Sequence, residues 1–202
     1  MQMYTGGLQM YKLCKSEQSA LRQREMEQQL LKMMETTRFE DITVSDLCTQ
    51  AGFSRKAFYR YFSGKEGALY ALIDHTLWEL DSFPFTEKTD SDGSREKMVW
   101  FFQFWKKHKP LLDALDFSGI SELLMKRMLV YAMSGPSVIR HFLTYRNGNM
   151  DAEEYAMTFG VCGLASIAFE WHRRGYQQSP EEIGQIALEL LTKPLLKLGK
   201  ER

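Results

Sequence analysis

The chain has 202 residues, of which 44% are hydrophobic and 26% charged, so it can bury a substantial core and is typical of a globular protein. Its formal net charge is zero, but residues 1–65 hold ten Lys/Arg against seven Asp/Glu, and the remainder holds sixteen against nineteen. The positive charge is therefore concentrated at the N-terminal end, where a nucleic acid would be attracted.

The cysteines and the apolar segments argue against several other classes of protein. Cys14, Cys48 and Cys162 are far apart and form neither a CxxC pair nor a Cys/His metal spacing, so reduced thiols are expected. A redox-sensing cysteine stays open as an alternative. The sequence shows no signal peptide and no apolar run of about 18 residues, which predicts a cytoplasmic protein with no membrane contact.

The first segments in chain order are an extension and a helix. Residues 1–16 have no clear periodicity and predict a loose, flexible extension. From Ser16 to about Thr37 the composition is strongly helical, and Leu30, Leu31 and Met34 form an apolar stripe. This helix is expected to support the two short helices that follow.

Residues 43–65, TVSDLCTQAGFSRKAFYRYFSGK, have the pattern of a helix-turn-helix. Thr43 and Ser54 can cap the two helices, and Gly52 supplies the positive φ that a sharp exit from the first helix needs. The second helix is predicted over Arg55–Phe62, and Ser63 to Glu66 read as a capping box that opens a further helix. An ordinary helical hairpin with a solvated charged face is the simpler alternative.

The charge of this stretch favours DNA over that alternative. No Asp or Glu occurs from Leu47 to Lys65, whereas Arg55, Lys56 and Arg60 do. Such a cluster neutralises phosphates, and the first turn of a recognition helix reaches base edges in the major groove. The sequence therefore predicts binding to double-stranded DNA.

At these residues the chain resembles the TetR/AcrR family of DNA-binding regulators. The family pattern is a hydrophobic-x-x-Thr-Val step, an Ala-Gly-x-Ser turn, an aromatic run and a Lys-Glu pair, found here at Phe39 to Val44, Ala51 to Ser54, Phe58 to Phe62 and Lys65-Glu66. The resemblance covers roughly residues 17–80. It implies an all-α homodimer, in which two helix-turn-helix units read a palindromic operator.

The resemblance and the charge pattern together assign roles within the DNA-binding surface. Arg55 and Lys56 are the expected base readers, Ala57 is placed to touch a thymine methyl group, and phosphate contacts are expected from Tyr59, Tyr61 and Lys65. The full predicted set is Thr43, Ser54, Arg55, Lys56, Ala57, Tyr59, Arg60, Tyr61 and Lys65.

The rest of the chain predicts a helical bundle, giving about nine helices in total and two units, residues 17–65 and 66–202. A helix from Glu66 to about Phe83 links the units, and residues 86–93 read as a loop. Further helices are expected at 94–109, about 110–117, 119–133, 137–146, 151–174 and 180–197. This second unit is expected to bind an effector and to dimerise.

Five aromatic residues occupy six positions between Trp100 and Trp105, more than one core-facing stripe of a helix can use. A pocket for a flat or apolar small molecule is one way to bury them, and a helix surrounded by its neighbours is the other. The predicted pocket residues are Trp100, Phe101, Phe104, Trp105, Phe117, Tyr131 and Phe142.

The last two predicted helices carry small and apolar residues suited to close packing with a second copy. The resemblance also places dimerisation in this region. The predicted interface residues are Phe159, Gly160, Gly163, Leu164, Ile167, Trp171, Ile183, Ile186 and Leu190. The alternative is that the small residues serve packing within one chain.

No catalytic chemistry or cofactor is predicted. The four histidines, His75, His108, His141 and His172, have neither HxxxH nor HExxH spacing. The sequence instead predicts a transcriptional regulator, favouring a repressor that a small-molecule effector releases from its operator. An activator or co-activator whose bundle binds a protein partner is the alternative.

Overall fold

The computed structural model describes residues 10–80, 93–134 and 150–193. Within these ranges there are nine α-helices, one short 3-10 helix and no strand, which confirms the all-α class. The helices are α1 (Glu17–Met34), α2 (Val44–Ala51), α3 (Arg55–Phe58), α4 (Lys65–Leu80), α5 (Gly93–Lys107), α6 (Lys109–Phe117), α7 (Ser121–Met133), α8 (Met150–Arg173) and α9 (Pro180–Thr192), with the 3-10 helix at Phe39–Asp41. The helix predicted at 137–146 and the loop predicted at 86–93 lie outside the described residues, except Gly93.

Helices α1, α2 and α3 form the N-terminal unit around a small apolar core. Leu30 and Met34 of α1 are fully buried, as are Leu47 of α2 and Phe58 of α3. Burying these side chains supplies the stability that four-residue and eight-residue helices lack in isolation. The predicted apolar stripe of α1 is thus the support for α2 and α3.

Helix α4 joins this unit to the bundle and is buried along almost its whole length. Besides Leu69, Leu72 and Ile73, it buries the polar residues Asp74 and His75. It packs against α1 on one side and α7 on the other. A helix held on both sides is a stiff connection between the two units.

In the bundle, α5 packs mainly against α9, and α7 packs mainly against α8. Ser179 caps α9 in a capping box with Glu182, as the sequence predicts, with Pro180 as the first helical residue. None of the helices in the described ranges combines the length and apolarity that crossing a membrane requires.

The described part of the predicted loose extension is bound to the N-terminal unit. Residues 10–14, here called the N-terminal strap, lie against the chain that follows α3, with Tyr11 in an antiparallel bridge to Phe62. The Lys12 amide donates to the carbonyl of Tyr61 at 2.8 Å, and the Ser63 amide donates to the carbonyl of Met10 at 2.9 Å. The strap is therefore paired through its backbone.

Candidate DNA-binding surface

The turn between α2 and α3 is built from local backbone chemistry. The Thr43 hydroxyl accepts from the Asp46 amide at 3.1 Å, and the Ser54 hydroxyl accepts from the Ala57 amide at 3.1 Å. Gly52 has φ of 69°, the left-handed conformation that ends α2. Both predicted caps and the predicted turn are present, so the two hydroxyls help to orient α3.

Helix α3 is shorter than the predicted Arg55–Phe62. It ends at Phe58, and the next amides follow turns, with Arg60 donating to Ala57 and Tyr61 donating to Phe58. Beyond the helix end, residues 61–63 pair with the N-terminal strap, while the Phe62 amide still donates to the carbonyl of Phe58 at 3.1 Å. The strap therefore lies against the chain directly after α3, the predicted recognition helix.

The outer surface of α3 and the turn after it is basic and accessible. Arg55, Lys56, Tyr59 and Arg60 are exposed, and Ala57 is half-buried between them. Phe58, on the inner side, is only 1% exposed. The structure therefore places the predicted base readers together on one outer surface, with no carboxylate among them.

Two of the residues predicted to contact phosphate, Tyr61 and Lys65, do not lie free on this outer surface. Tyr61 is buried, at 8% exposure, and its ring packs beside Phe62 with ring centres 6.2 Å apart. The Lys65 ammonium donates to the carbonyl oxygens of Phe39, Glu40 and Ile42 at 2.9, 2.7 and 2.8 Å. Because an ammonium has three N–H donors, Lys65 is fully engaged within the chain. Its phosphate contact stays a prediction, and its observed contacts are structural.

Ser63, predicted to cap α4 in a capping box with Glu66, makes a different hydrogen bond. The Ser63 hydroxyl donates to the carbonyl of Met10 at 2.9 Å, a residue of the strap. No local sequence pattern signals this contact, because its two residues are 53 positions apart.

The N-terminal unit also contacts α6 of the bundle. The Phe39 amide donates to the Ser118 hydroxyl at 3.0 Å, and the Arg38 guanidinium lies 6.0 Å from the centre of the Phe117 ring. Phe117, predicted as a pocket residue, is 48% exposed at this junction. The structure therefore places Phe117 between the two units.

The other predicted pocket residues are in the bundle core or outside the described ranges. Phe101, Phe104 and Trp105 are buried, and Trp100 and Tyr131 are half-buried. Phe142 lies outside the described residues. Phe102 packs edge-on against Trp171 of α8, with ring centres 5.6 Å apart. Packing against α8 and α9 accounts for much of the aromatic content of α5.

Trp105 buries a polar atom in this aromatic core that has no partner in the described part of the chain. Trp105 is 1% exposed, and its indole Nε1–H has no hydrogen-bond acceptor among the described residues. A buried donor without an acceptor costs roughly 1–3 kcal/mol, so native structures seldom leave one unexplained.

The predicted interface residues divide into two groups. Phe159, Ile186 and Leu190 are exposed, together with Tyr155 at 78%, and Gly163 and Ile167 are half-buried. The remaining four are buried within the single chain: Gly160, Leu164, Trp171 and Ile183. Trp171 also donates its indole N–H to the carbonyl of Gln178 at 3.0 Å.

Two of the three thiols are poorly suited to redox sensing. Burial raises the pKa of the Cys14 thiol, and it raises the pKa of the Cys48 thiol against the opposing charge of Arg55. A raised pKa lowers the fraction of reactive thiolate at neutral pH. Among the described residues, no group of three or more His, Cys, Asp or Glu has the arrangement of a metal site.

Comparison with known proteins agrees with this surface. The model of the bacterial regulatory proteins of the tetR family matches residues 31–72, which include α2, α3 and half of α4. The chain is 45% identical over 51 residues to the HTH-type transcriptional regulator EthR of Mycolicibacterium smegmatis, a match that covers 25% of this chain and 24% of that protein. It is 34% identical over 89 residues to EthR of Mycobacterium tuberculosis, covering 41% of each protein. The chain thus spans less than half of the length of these relatives.

Solved structures share the fold over most of the chain. A TetR-family transcriptional regulator from Syntrophomonas wolfei superposes with a TM-score of 0.66 at 13% identity, over 89% of this chain and 99% of that one. The dihydroxyacetone kinase operon activator DhaS superposes with a TM-score of 0.55 at 16% identity, over 85% of this chain and 94% of that one. Residues 31–72 therefore carry the helix-turn-helix of the tetR family of bacterial regulatory proteins, on an all-α fold that the chain shares with solved TetR-family regulators.

Proposed function

We propose that this protein is a cytoplasmic repressor that binds a palindromic operator as a homodimer and is released by a small-molecule effector. The observation that carries the DNA-binding part is the outer surface of α3, where Arg55, Lys56 and Arg60 are exposed together and no acid lies between residues 47 and 65. Cations at the start of a capped recognition helix suit contacts to both phosphates and base edges.

The dimer is proposed from the apolar residues that one chain leaves uncovered. Tyr155 and Phe159 are one helical turn apart on α8, and Ile186 and Leu190 are one turn apart on α9, so each pair forms a stripe. Large exposed apolar residues grouped in this way are typical of protein interfaces. A two-fold pair also doubles the base pairs read, which a four-residue recognition helix needs for specificity.

The effector is proposed from the aromatic core around α5. The indole N–H of Trp105, which has no acceptor among residues 10–80, 93–134 and 150–193, is a donor in apolar surroundings, which a ligand with one acceptor group would satisfy. Such a ligand releases DNA only if it binds the conformation that cannot dock on the operator more tightly than the one that can.

The alternative is an activator or co-activator whose bundle binds a protein. Val130 and Met133 on α7 are further exposed apolar residues, and they favour this alternative.

The experiment that tests the proposal is selection of bound fragments from the genome of the source organism, followed by fluorescence anisotropy. The wild-type protein is expected to enrich fragments that share a palindrome. The double variant Arg55→Ala/Lys56→Ala should lose this enrichment. A matched variant, Lys107→Ala/Lys126→Ala, removes two exposed charges from the bundle and should keep it. Wild-type protein that binds no fragment above random duplex would refute the proposal.

A further inference from the structure

The N-terminal strap is attached to the chain at the end of the reading helix. Its backbone pairs with residues 61–63, and Met10 accepts hydrogen bonds from both the amide and the hydroxyl of Ser63, each at 2.9 Å. The strap also sits directly on α4, since a Cβ atom added to Gly67 would lie 2.1 Å from the Met10 carbonyl oxygen. Only a glycine at position 67 allows the Met10 carbonyl to approach α4 this closely.

The strap also carries one side chain into the junction between α4 and the bundle. The Tyr11 hydroxyl donates to Oδ2 of Asp74 at 2.6 Å. The same carboxylate accepts two hydrogen bonds from Arg127 of α7, of which the bond from Nε to Oδ1 is 2.7 Å. Asp74 is buried, and the Arg127 guanidinium lies over the Tyr70 ring at 5.3 Å.

These contacts form a continuous path. It runs from Arg127 on α7, through Asp74 on α4, to Tyr11 of the strap, and along the strap backbone to Ser63 behind α3. We propose that Tyr11 is a positioning residue, and that the N-terminal strap is a second connection, besides α4 itself, through which the bundle sets the position of the reading helix. The inference rests on the proposed DNA-binding function.

The chemistry of the path favours a two-state connection. A bidentate Arg–carboxylate pair depends strongly on geometry, so a small shift of α7 relative to α4 disrupts it. Asp74 would then remain buried without its Arg127 partner, which weakens the attachment of Tyr11 to Asp74. Burial and the Asp74 carboxylate both raise the pKa of Tyr11, so its hydroxyl keeps its proton and stays a donor at neutral pH.

The test follows the backbone amides of Lys12 and Ser63 by hydrogen exchange in DNA-free protein. Tyr11→Phe removes the hydroxyl and keeps the ring that contacts His75, and Arg127→Gln breaks the pair from the bundle side. Both should speed exchange at these two amides by roughly tenfold, because a hydrogen bond to a charged group is lost, while the Leu30 amide in the core of α1 is unchanged. The double variant should exchange at the rate of either single variant, since both interrupt one path. Tyr176→Phe removes a hydroxyl that has no hydrogen-bond partner among the described residues and should have no effect.

Gly67→Ala tests the same path by steric means. Alanine favours the helix itself, so the change should displace the strap without weakening α4. All three variants should bind the selected operator less tightly, by about tenfold, in step with their faster exchange. The proposal is overturned if the Ser63 amide of Arg127→Gln exchanges at the wild-type rate. It is also overturned if the variants exchange faster but bind the operator with unchanged affinity. Wild-type protein that binds no operator refutes the DNA-binding proposal instead, and the exchange rates alone then decide whether Arg127 holds the strap.

Discussion

Lys65 is bound to the backbone of Phe39, its ammonium 2.9 Å from the carbonyl oxygen and 4.9 Å from the centre of the ring. Two further carbonyls complete its three hydrogen bonds, so one side chain at the start of α4 fixes the 3-10 helix that precedes α2. A cation in this position stabilises the carbonyl groups at the end of a short helix, where the Phe39 carbonyl also accepts from the Ile42 amide at 3.3 Å.

The first prediction is therefore that Lys65→Met lowers the free energy of unfolding by roughly 1–2 kcal/mol, because charge-assisted hydrogen bonds are lost. Operator affinity should fall, but its dependence on salt should keep the wild-type slope. The matched variant Lys56→Met removes an exposed charge from α3. It should leave stability within about 0.5 kcal/mol and flatten the slope of log affinity against log salt by about 1. A flatter slope and unchanged stability in Lys65→Met would mean that the ammonium moves to a phosphate on DNA.

The features that sequence predicted well are those set by neighbouring residues. Thr43, Gly52 and Ser54 cap and turn the helix-turn-helix as expected, because each acts on amides or dihedral angles within three residues. The contact between Tyr11 and Asp74 spans 63 residues. No local pattern signals such a contact, and none signals that residues 61–63, predicted as the end of α3, pair with the strap.

The difference between local and long-range contacts also limits what the sequence predicts about the bundle. The number of aromatic residues on α5 does not tell whether they face a ligand or neighbouring helices, because both environments bury them. The small and apolar residues of this region placed Phe159 and Leu164 in one predicted interface, whereas in the single chain Phe159 is exposed and Leu164 is buried. Which side of a helix faces its own chain depends on how the helices are arranged, and that is a tertiary property.

The second prediction concerns base readout. Arg55 is exposed at the first position of α3, where a guanidinium can bind a guanine edge with two hydrogen bonds. Arg55→Ala should lose about 1–3 kcal/mol of discrimination at one base pair of each half-site. Arg60→Ala, beyond the helix end, should weaken all operator variants alike. Competition between single-base operator variants measures both effects, and equal discrimination in Arg55→Ala would assign the readout to another residue.

The third prediction is that a charge on the α8 stripe separates the dimer. Phe159→Glu places a carboxylate among exposed apolar residues, which a two-fold interface would bring close to its own copy. Sedimentation should show a monomer at concentrations where the wild type is a dimer, with operator binding lost. Thr158→Glu adds the same charge at the neighbouring exposed position and should remain dimeric. If both variants sediment as the wild type does, the interface lies elsewhere on the bundle.

The fourth prediction uses a buried acid in α1. Glu27 is fully buried, its Oε2 lies 2.9 Å from Nδ1 of His75, and its Oε1 has no partner among the described residues. Burial raises the pKa of Glu27, outweighing the opposing effects of His75 and Arg24. The folded state therefore takes up a proton more readily than the unfolded state does.

The stability that comes from protonating Glu27 is complete below its ordinary pKa of about 4.3 and is lost as pH rises through the higher folded-state pKa. Glu27→Gln keeps an acceptor for His75 and removes the charge. It should unfold at a higher temperature than the wild type at pH 7, and the difference should shrink as pH falls towards the ordinary pKa of Glu27. A Gln variant that is less stable at pH 7, by an amount independent of pH, would show that the carboxylate charge contributes to the fold.

The last prediction concerns the effector and the indole of Trp105. A flat apolar compound with one acceptor group should quench tryptophan fluorescence and release the operator over the same concentration range, because one binding event causes both. Trp105→Phe keeps an aromatic ring and removes the N–H donor, so the compound should bind about fivefold more weakly, the effect of one hydrogen bond of about 1 kcal/mol. Trp78→Phe, on α4 beside His75, is the matched control and should keep wild-type affinity. Quenching without release would make the site a passive cavity, since equal affinity for both conformations shifts neither. No response from a broad library of apolar compounds would favour the protein-partner alternative, with exposed Val130 and Met133 as the first residues to change.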